Sequence, residues 1–109
     1  MSKTYVGKRD DDANTLEVVV QPSPGRTYPL DPRYDVRNHS PTGFECGYSG
    51  SGPAQLALAV CLDALGDVVQ AQAVYQKFKA KVIAGLPRMA GWELSEIEVL
   101  STIRELSGE

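Results

Sequence analysis

The sequence predicts a single α+β domain, residues 1–109: an N-terminal antiparallel β-hairpin or small sheet, then about three helices, the first of them central and buried. Three observations predict it. Residues 1–52 are rich in β-branched residues, Pro, Gly, Asn and Asp, whereas residues 53–109 carry helical spacing almost throughout. Strand and helix signals are segregated rather than alternating, which favours α+β over α/β. The chain has 109 residues, 42% of them hydrophobic, enough to build one core without metal or disulfide staples.

Residues 4–8 and 15–20 (Thr-Leu-Glu-Val-Val-Val) read as two strands, and the polar run 9–14, Arg-Asp-Asp-Asp-Ala-Asn, as the turn between them. Residues 21–26 form a loop by their two prolines, which fix φ and remove ladder donors. Tyr28-Pro29-Leu30 and Asp35-Val36-Arg37 are expected to add short edge strands.

Between residues 53 and 65 nearly every side chain is apolar, so this helix has no wet face and belongs at the centre. Gly52-Pro53 suits its start, because Pro at the first helical position forgoes an N–H that would be unpaired anyway. Gly66 fits the left-handed position after its end, and Asp67 with Gln70 spells a capping box for the next helix. That second helix, residues 68–84, sets Ala71, Tyr75, Phe78 and Val82 on one stripe and Lys77 and Lys81 on another, before Gly85 and Pro87 stop it. A third begins at Ser95, where Ser95 and Glu98 form a second box and Leu94 can staple against Val99. Val99, Leu100, Ile103 and Leu106 supply its core face.

Eleven Lys+Arg against fourteen Asp+Glu give a net charge of −3, which speaks against a general nucleic-acid binder. The N-terminus has no apolar targeting segment, and the run 54–65 is interrupted and too short to span a bilayer, so a cytoplasmic protein without membrane contact is expected. Cys46 and Cys61 lie fifteen apart with no C-x-x-C, which spells neither a zinc site nor a disulfide framework. Asp10-Asp11-Asp12 do not converge on one centre as alternating ligands would. No metal and no cofactor is therefore expected.

The most unusual stretch is residues 38–55, Asn-His-Ser-Pro-Thr-Gly-Phe-Glu-Cys-Gly-Tyr-Ser-Gly-Ser-Gly-Pro-Ala-Gln. Its glycines allow close backbone approach, and Ser49, Gly50, Ser51 and Gly52 run into a helix N-terminus, the physics of an anion cradle to which His39 could contribute. Against that, there is no Lys-Ser/Thr as in a P-loop, and G-x-G-x-x-G fails at Gln55. A serine hydrolase would need His39, the only histidine, beside Ser49 or Ser51, and the elbow G-x-S-x-G does not match. Without a paired acid and base or a complete nucleophile motif, no catalytic residue is assigned and no enzyme is expected.

Charge is uneven in the second half. Lys77, Lys79, Lys81 and Arg88 give residues 75–88 a basic character, while residues 92–109 carry five glutamates against Arg104 alone. The two segments can attract each other within the fold or present separate surfaces. Lys77, Lys81, Arg88 and Trp92 are the candidate partner contacts. A second copy of the chain is another way to cover the apolar first helix, so a homo-oligomer is kept open.

The wording Asn38 to Glu45, Gly47-Tyr48, Gly50 to Ala59, Tyr75 to Lys79 and Val82-Ile83-Ala84, with the opening Tyr5-Val6-Gly7-Lys8-Arg9, resembles a family of small proteins of unknown function from bacteria, phages and plasmids. Members more often show tryptophan in place of Cys46 and glycine in place of Ser49. The resemblance implies no activity, cofactor or catalytic residue, only a setting: an accessory protein of a mobile element, acting by binding. The function expected is thus a non-enzymatic interaction protein of phage type, an inhibitor of a bacterial defence system (anti-CRISPR, for instance) that binds a protein. The alternative is a small-ligand module holding a phosphate or nucleotide at residues 49–52.

Overall fold

β1 (Ser2–Asp10) and β2 (Thr15–Ser23) form a long antiparallel hairpin in the computed structural model, which describes residues 2–108. Strict alternation builds it: Tyr5 and Gly7 of β1 and Leu16, Val18 and Val20 of β2 are buried on one side, while Lys8 and Glu17 point to the other. β3 (Tyr28–Pro29) pairs with β2 through Val19 and Val20. β4 (Trp92–Ser95) adds to the far side of β1, giving the order β3-β2-β1-β4, antiparallel throughout.

The helices are α1 (Ser51–Leu65), α2 (Val68–Lys81) and α3 (Glu96–Ser107). All three share one core with the buried side of the sheet, so the chain is an α+β fold. α1 is buried without a break from Gly52 to Leu62 by this chain's own sheet and helices. No second copy is required to cover it. Gly66, at φ 66°, closes α1 by donating its N–H to Leu62 O at 2.9 Å. Asp67 accepts the Gln70 N–H at 3.1 Å and so makes the forward half of the expected box. At α3 the box is complete: Ser95 Oγ accepts the Glu98 N–H at 3.1 Å and Glu98 Oε1 accepts the Ser95 N–H at 3.3 Å.

The structure differs from the sequence reading at six places, the first being that α1 begins at Ser51 with Gly50 as its N-cap, so that Pro53 is its third residue rather than its first. Both hairpin strands run further than expected, β1 through Arg9 and Asp10 and β2 through Gln21 to Ser23, because cross-strand pairing runs from Asp10 opposite Thr15 to Ser2 opposite Ser23. Residues 35–37 are a turn rather than a strand, closed by Val36 and Arg37 N–H donating to Arg33 O, with Arg33 at φ 60°. The second helix stops at Lys81, and Ile83–Gly85 make a single 3-10 turn that buries Ile83. Trp92–Ser95 is a strand, where only a helix entry was expected, because its apolar-polar alternation meets the free edge of β1. Leu100 is half-buried, on the flank of α3 rather than in its core stripe of Val99, Ile103 and Leu106.

Candidate functional site

The odd residues of β1 face the helices, and among them are two cations, Lys3 and Arg9, at opposite ends of the strand. Each is met by a carboxylate. Lys3 Nζ lies 3.1 Å from Asp63 Oδ1, near the C-terminal end of α1. The same carboxylate accepts Tyr5 OH at 2.7 Å on Oδ1 and Tyr28 OH at 2.7 Å on Oδ2. Burial, then the hydrogen bond to Asp63, pushes both phenols above their ordinary range, so they stay neutral donors. Burial pulls the Lys3 ammonium down, but the hydrogen bond and charge of Asp63 together raise it on balance.

At the other end, Arg9 forks onto Glu45 with two bonds of 2.8 Å, and Arg9 Nε and Nη2 also donate to Arg88 O at 3.1 and 2.7 Å. The Arg9 side chain is 2% exposed and Glu45 24%. The hydrogen bond and charge of Arg9 hold the Glu45 carboxyl below the usual range, and Glu45 raises Arg9 in return. Both charged groups thus fasten the sheet to the segments beneath it.

Ser49, Gly50, Ser51 and Gly52, the expected anion cradle, open α1, whose N-cap Gly50 makes no side-chain capping bond. The space above each nearby glycine is filled by the chain itself. A Cβ on Gly52 would stand 2.7 Å from Glu45 Cβ, and one on Gly50 2.7 Å from the Tyr48 ring. Gly47, at φ 85°, lies against Leu86 O and Arg88 Cβ and donates its N–H to Ile83 O at 3.0 Å. The acidic side chain seated against the first turn of α1 is Glu45. Ser49 and Ser51 are exposed.

His39 is brought close to α1 through its backbone and turned to α2 through its ring. Gln55, fully buried, accepts the N–H groups of His39 and Ser40 at 2.7 and 3.2 Å and donates to Pro32 O and Arg37 O at 2.6 and 3.0 Å. This one side chain satisfies four backbone groups of the 32–40 loop, which explains why a glutamine stands where G-x-G-x-x-G would need a glycine. His39 Nε2 lies 2.6 Å from Tyr75 OH, which also accepts Gln76 Nε2 at 3.2 Å. Burial, then the charges of Arg37 and Lys79, lowers the His39 pKa and favours the neutral ring, whose Nε2 shares its hydrogen bond with the Tyr75 hydroxyl.

Of the expected partner contacts, Lys77 and Lys81 are exposed on α2, and Lys81 Nζ lies 3.7 Å from Glu105 of α3. The basic and acidic segments therefore do meet within the fold. Arg88 is exposed, its guanidinium 5.2 Å from the centre of the Tyr48 ring. Trp92 is in the core, 7% exposed, covering Gly7 on the neighbouring strand. It is a packing residue rather than a surface anchor. Its indole N–H is buried with no oxygen or nitrogen partner; the adjoining group is the Cys46 thiol, whose pKa is pushed up by burial and drawn back by Trp92. Cys61, deep in α1, is pushed up to about 12 by burial alone. Among the described residues no three His, Cys, Asp or Glu are grouped to hold a metal ion, and no helix is long and apolar enough to cross a membrane.

Two surfaces go beyond the contacts that the sequence named. The outer face of the sheet holds a groove of about 540 Å³ over β1, β2 and β4, in which Val6 and Val19 are directly paired between Lys8, Glu17 and Glu93. The signal was the alternation itself, since the second face of each strand also carries a valine. The other is the outward side of α2. Opposite its buried Ala71, Val74, Tyr75 and Phe78 it shows Val69, Ala73, Gln76 and Ala80, all exposed and none charged, with Val69 81% exposed.

A family model described as "Family of unknown function (DUF6166)" matches residues 5–105, and the chain belongs to that family. No curated protein and no solved structure matches it.

Proposed function

We propose that this family member is a non-enzymatic interaction protein that binds a protein partner through the exposed side of α2. The phage or plasmid setting, with a host defence component as the partner, belongs to the same proposal and rests on the resemblance of the sequence. One observation carries the reading: α2 has no acidic residue in fourteen, keeps Lys77 and Lys81 in solvent, and leaves Val69 uncovered. Four polar groups support it by being spent on the fold. Asp63, Glu45, Gln55 and His39 each hold another segment of the chain in place.

The test is capture from a bacterial host lysate with wild-type protein and with Lys77→Glu. A protein retained in stoichiometric amount by wild type and lost with Lys77→Glu, at an unchanged thermal melt, is the expected result. Retention of no protein, together with a melt raised by added nucleotide, would replace this reading with a small-ligand module.

A further inference from the structure

We propose that the outward seam of α2, Val69, Ala73, Gln76 and Ala80, docks an acidic amphipathic helix of the partner; this rests on the binding role assigned above. The four residues follow one another at spacings of four, three and four, the a/d pattern by which helices pair side by side. An amphipathic helix on a protein surface ordinarily turns charged residues to water opposite its core face. α2 turns neutral ones there and keeps its charge on the flanks, Lys77 and Lys81 along one side and Lys79 along the other. Ala73 and Ala80 let a second backbone come close, and Gln76 is a single polar position of the kind that fixes register.

Charge selects the occupant. A second copy of α2 would set lysines against lysines, whereas a helix with Glu or Asp beside its apolar seam meets Lys77 on one flank and Lys79 on the other, Lys81 being already paired with Glu105. From Val69 to Ala80 the seam is about 16 Å long at 1.5 Å per residue, so the partner segment is about three turns.

The probes are two synthetic helical peptides with the same leucine seam, one flanked by glutamates and one by lysines. The glutamate peptide should bind about tenfold or more tightly than the lysine peptide, weaken as salt is raised, and be lost to Ala73→Glu/Ala80→Glu, whose substitutions touch only solvent and should leave the melt unchanged. Equal binding of the two peptides, binding that persists in the double variant, or self-association of the protein abolished by Val69→Lys would each overturn the seam. Lysate capture retained by Ala73→Glu/Ala80→Glu would overturn the seam while leaving the binding role standing. Failure of capture and of both peptides would remove both.

Discussion

The indole of Trp92 occupies the place where a Gly7 side chain would begin. The two residues are cross-strand partners on β1 and β4, and a Cβ on Gly7 would overlap Cε2 and Cζ2 of the ring. Glycine is unfavourable inside a strand, but here its missing side chain lets a large aromatic lie flat against the sheet. Gly7→Ala should therefore destabilise the protein by about 1–3 kcal/mol, an overpacking effect, and Trp92→Ala by about 3–5 kcal/mol, a cavity effect. The double variant should be more stable than the sum of the two losses implies, because the space freed by one change admits the other. Denaturant melts of the four proteins measure this coupling; strict additivity would mean that the overlap is relieved some other way.

Gln55 reaches four backbone groups from a fully buried position, and no shorter side chain spans them. Gln55→Ala should cost about 2–4 kcal/mol, since it leaves buried N–H and C=O groups unpaired as well as opening space. The loss should be local before it is global. Hydrogen exchange should show the amides of His39 and Ser40 losing protection while those of the β1–β2 hairpin keep theirs, and uniform loss would deny the loop its dependence on Gln55.

Local rules made most of the fold legible. The hairpin alternation, the apolar length of α1, Gly66 and the Ser95–Glu98 box each act within a few residues, and each stands where the sequence put it. Trp92–Ser95 was not legible, because four residues carry too little period to name a strand until β1 presents its edge. The glycines of residues 47–52 were legible only in part, for a related reason. Close approach was correctly read from them, but whether the approaching group is a ligand or Tyr48 and Glu45 depends on contacts that sequence spacing does not encode. Trp92 looked like a surface anchor for want of its partner Gly7, eighty-five positions away. The outward side of α2, by contrast, was readable from the same periodicity that marked its core side.

The Arg9–Glu45 pair should be asymmetric. Glu45→Ala strands a guanidinium that is almost wholly buried, whereas Arg9→Met leaves a carboxylate with some access to water. The first should be the costlier by at least about 1 kcal/mol in equilibrium unfolding. The pH dependence has a fixed sign. Glu45 is held below its ordinary value in the folded state, so its contribution is complete above the unfolded pKa of about 4.3 and is lost as pH falls through the folded one. In Glu45→Gln the difference from wild type should therefore shrink below about pH 4, and a difference that stays constant there would show that the carboxylate charge contributes nothing.

His39 makes a separate demand in a different window. Its pKa is lowered by burial and by Arg37 and Lys79, and its Nε2 is hydrogen-bonded to the Tyr75 hydroxyl at 2.6 Å. Because the unfolded chain binds the proton more readily, stability tied to His39 is complete above the unfolded value of about 6.5 and falls as pH drops through the lower folded value. Protonation would place a positive charge on a partly buried ring beside the cations Arg37 and Lys79. Wild type should thus lose stability from about pH 6.5 downward where His39→Gln stays flat, and Lys79→Gln should raise the histidine pKa read from its ring proton shifts. A wild-type histidine titrating at or above 6.5, or one indifferent to Lys79→Gln, would mean that the ring is not held neutral by this environment.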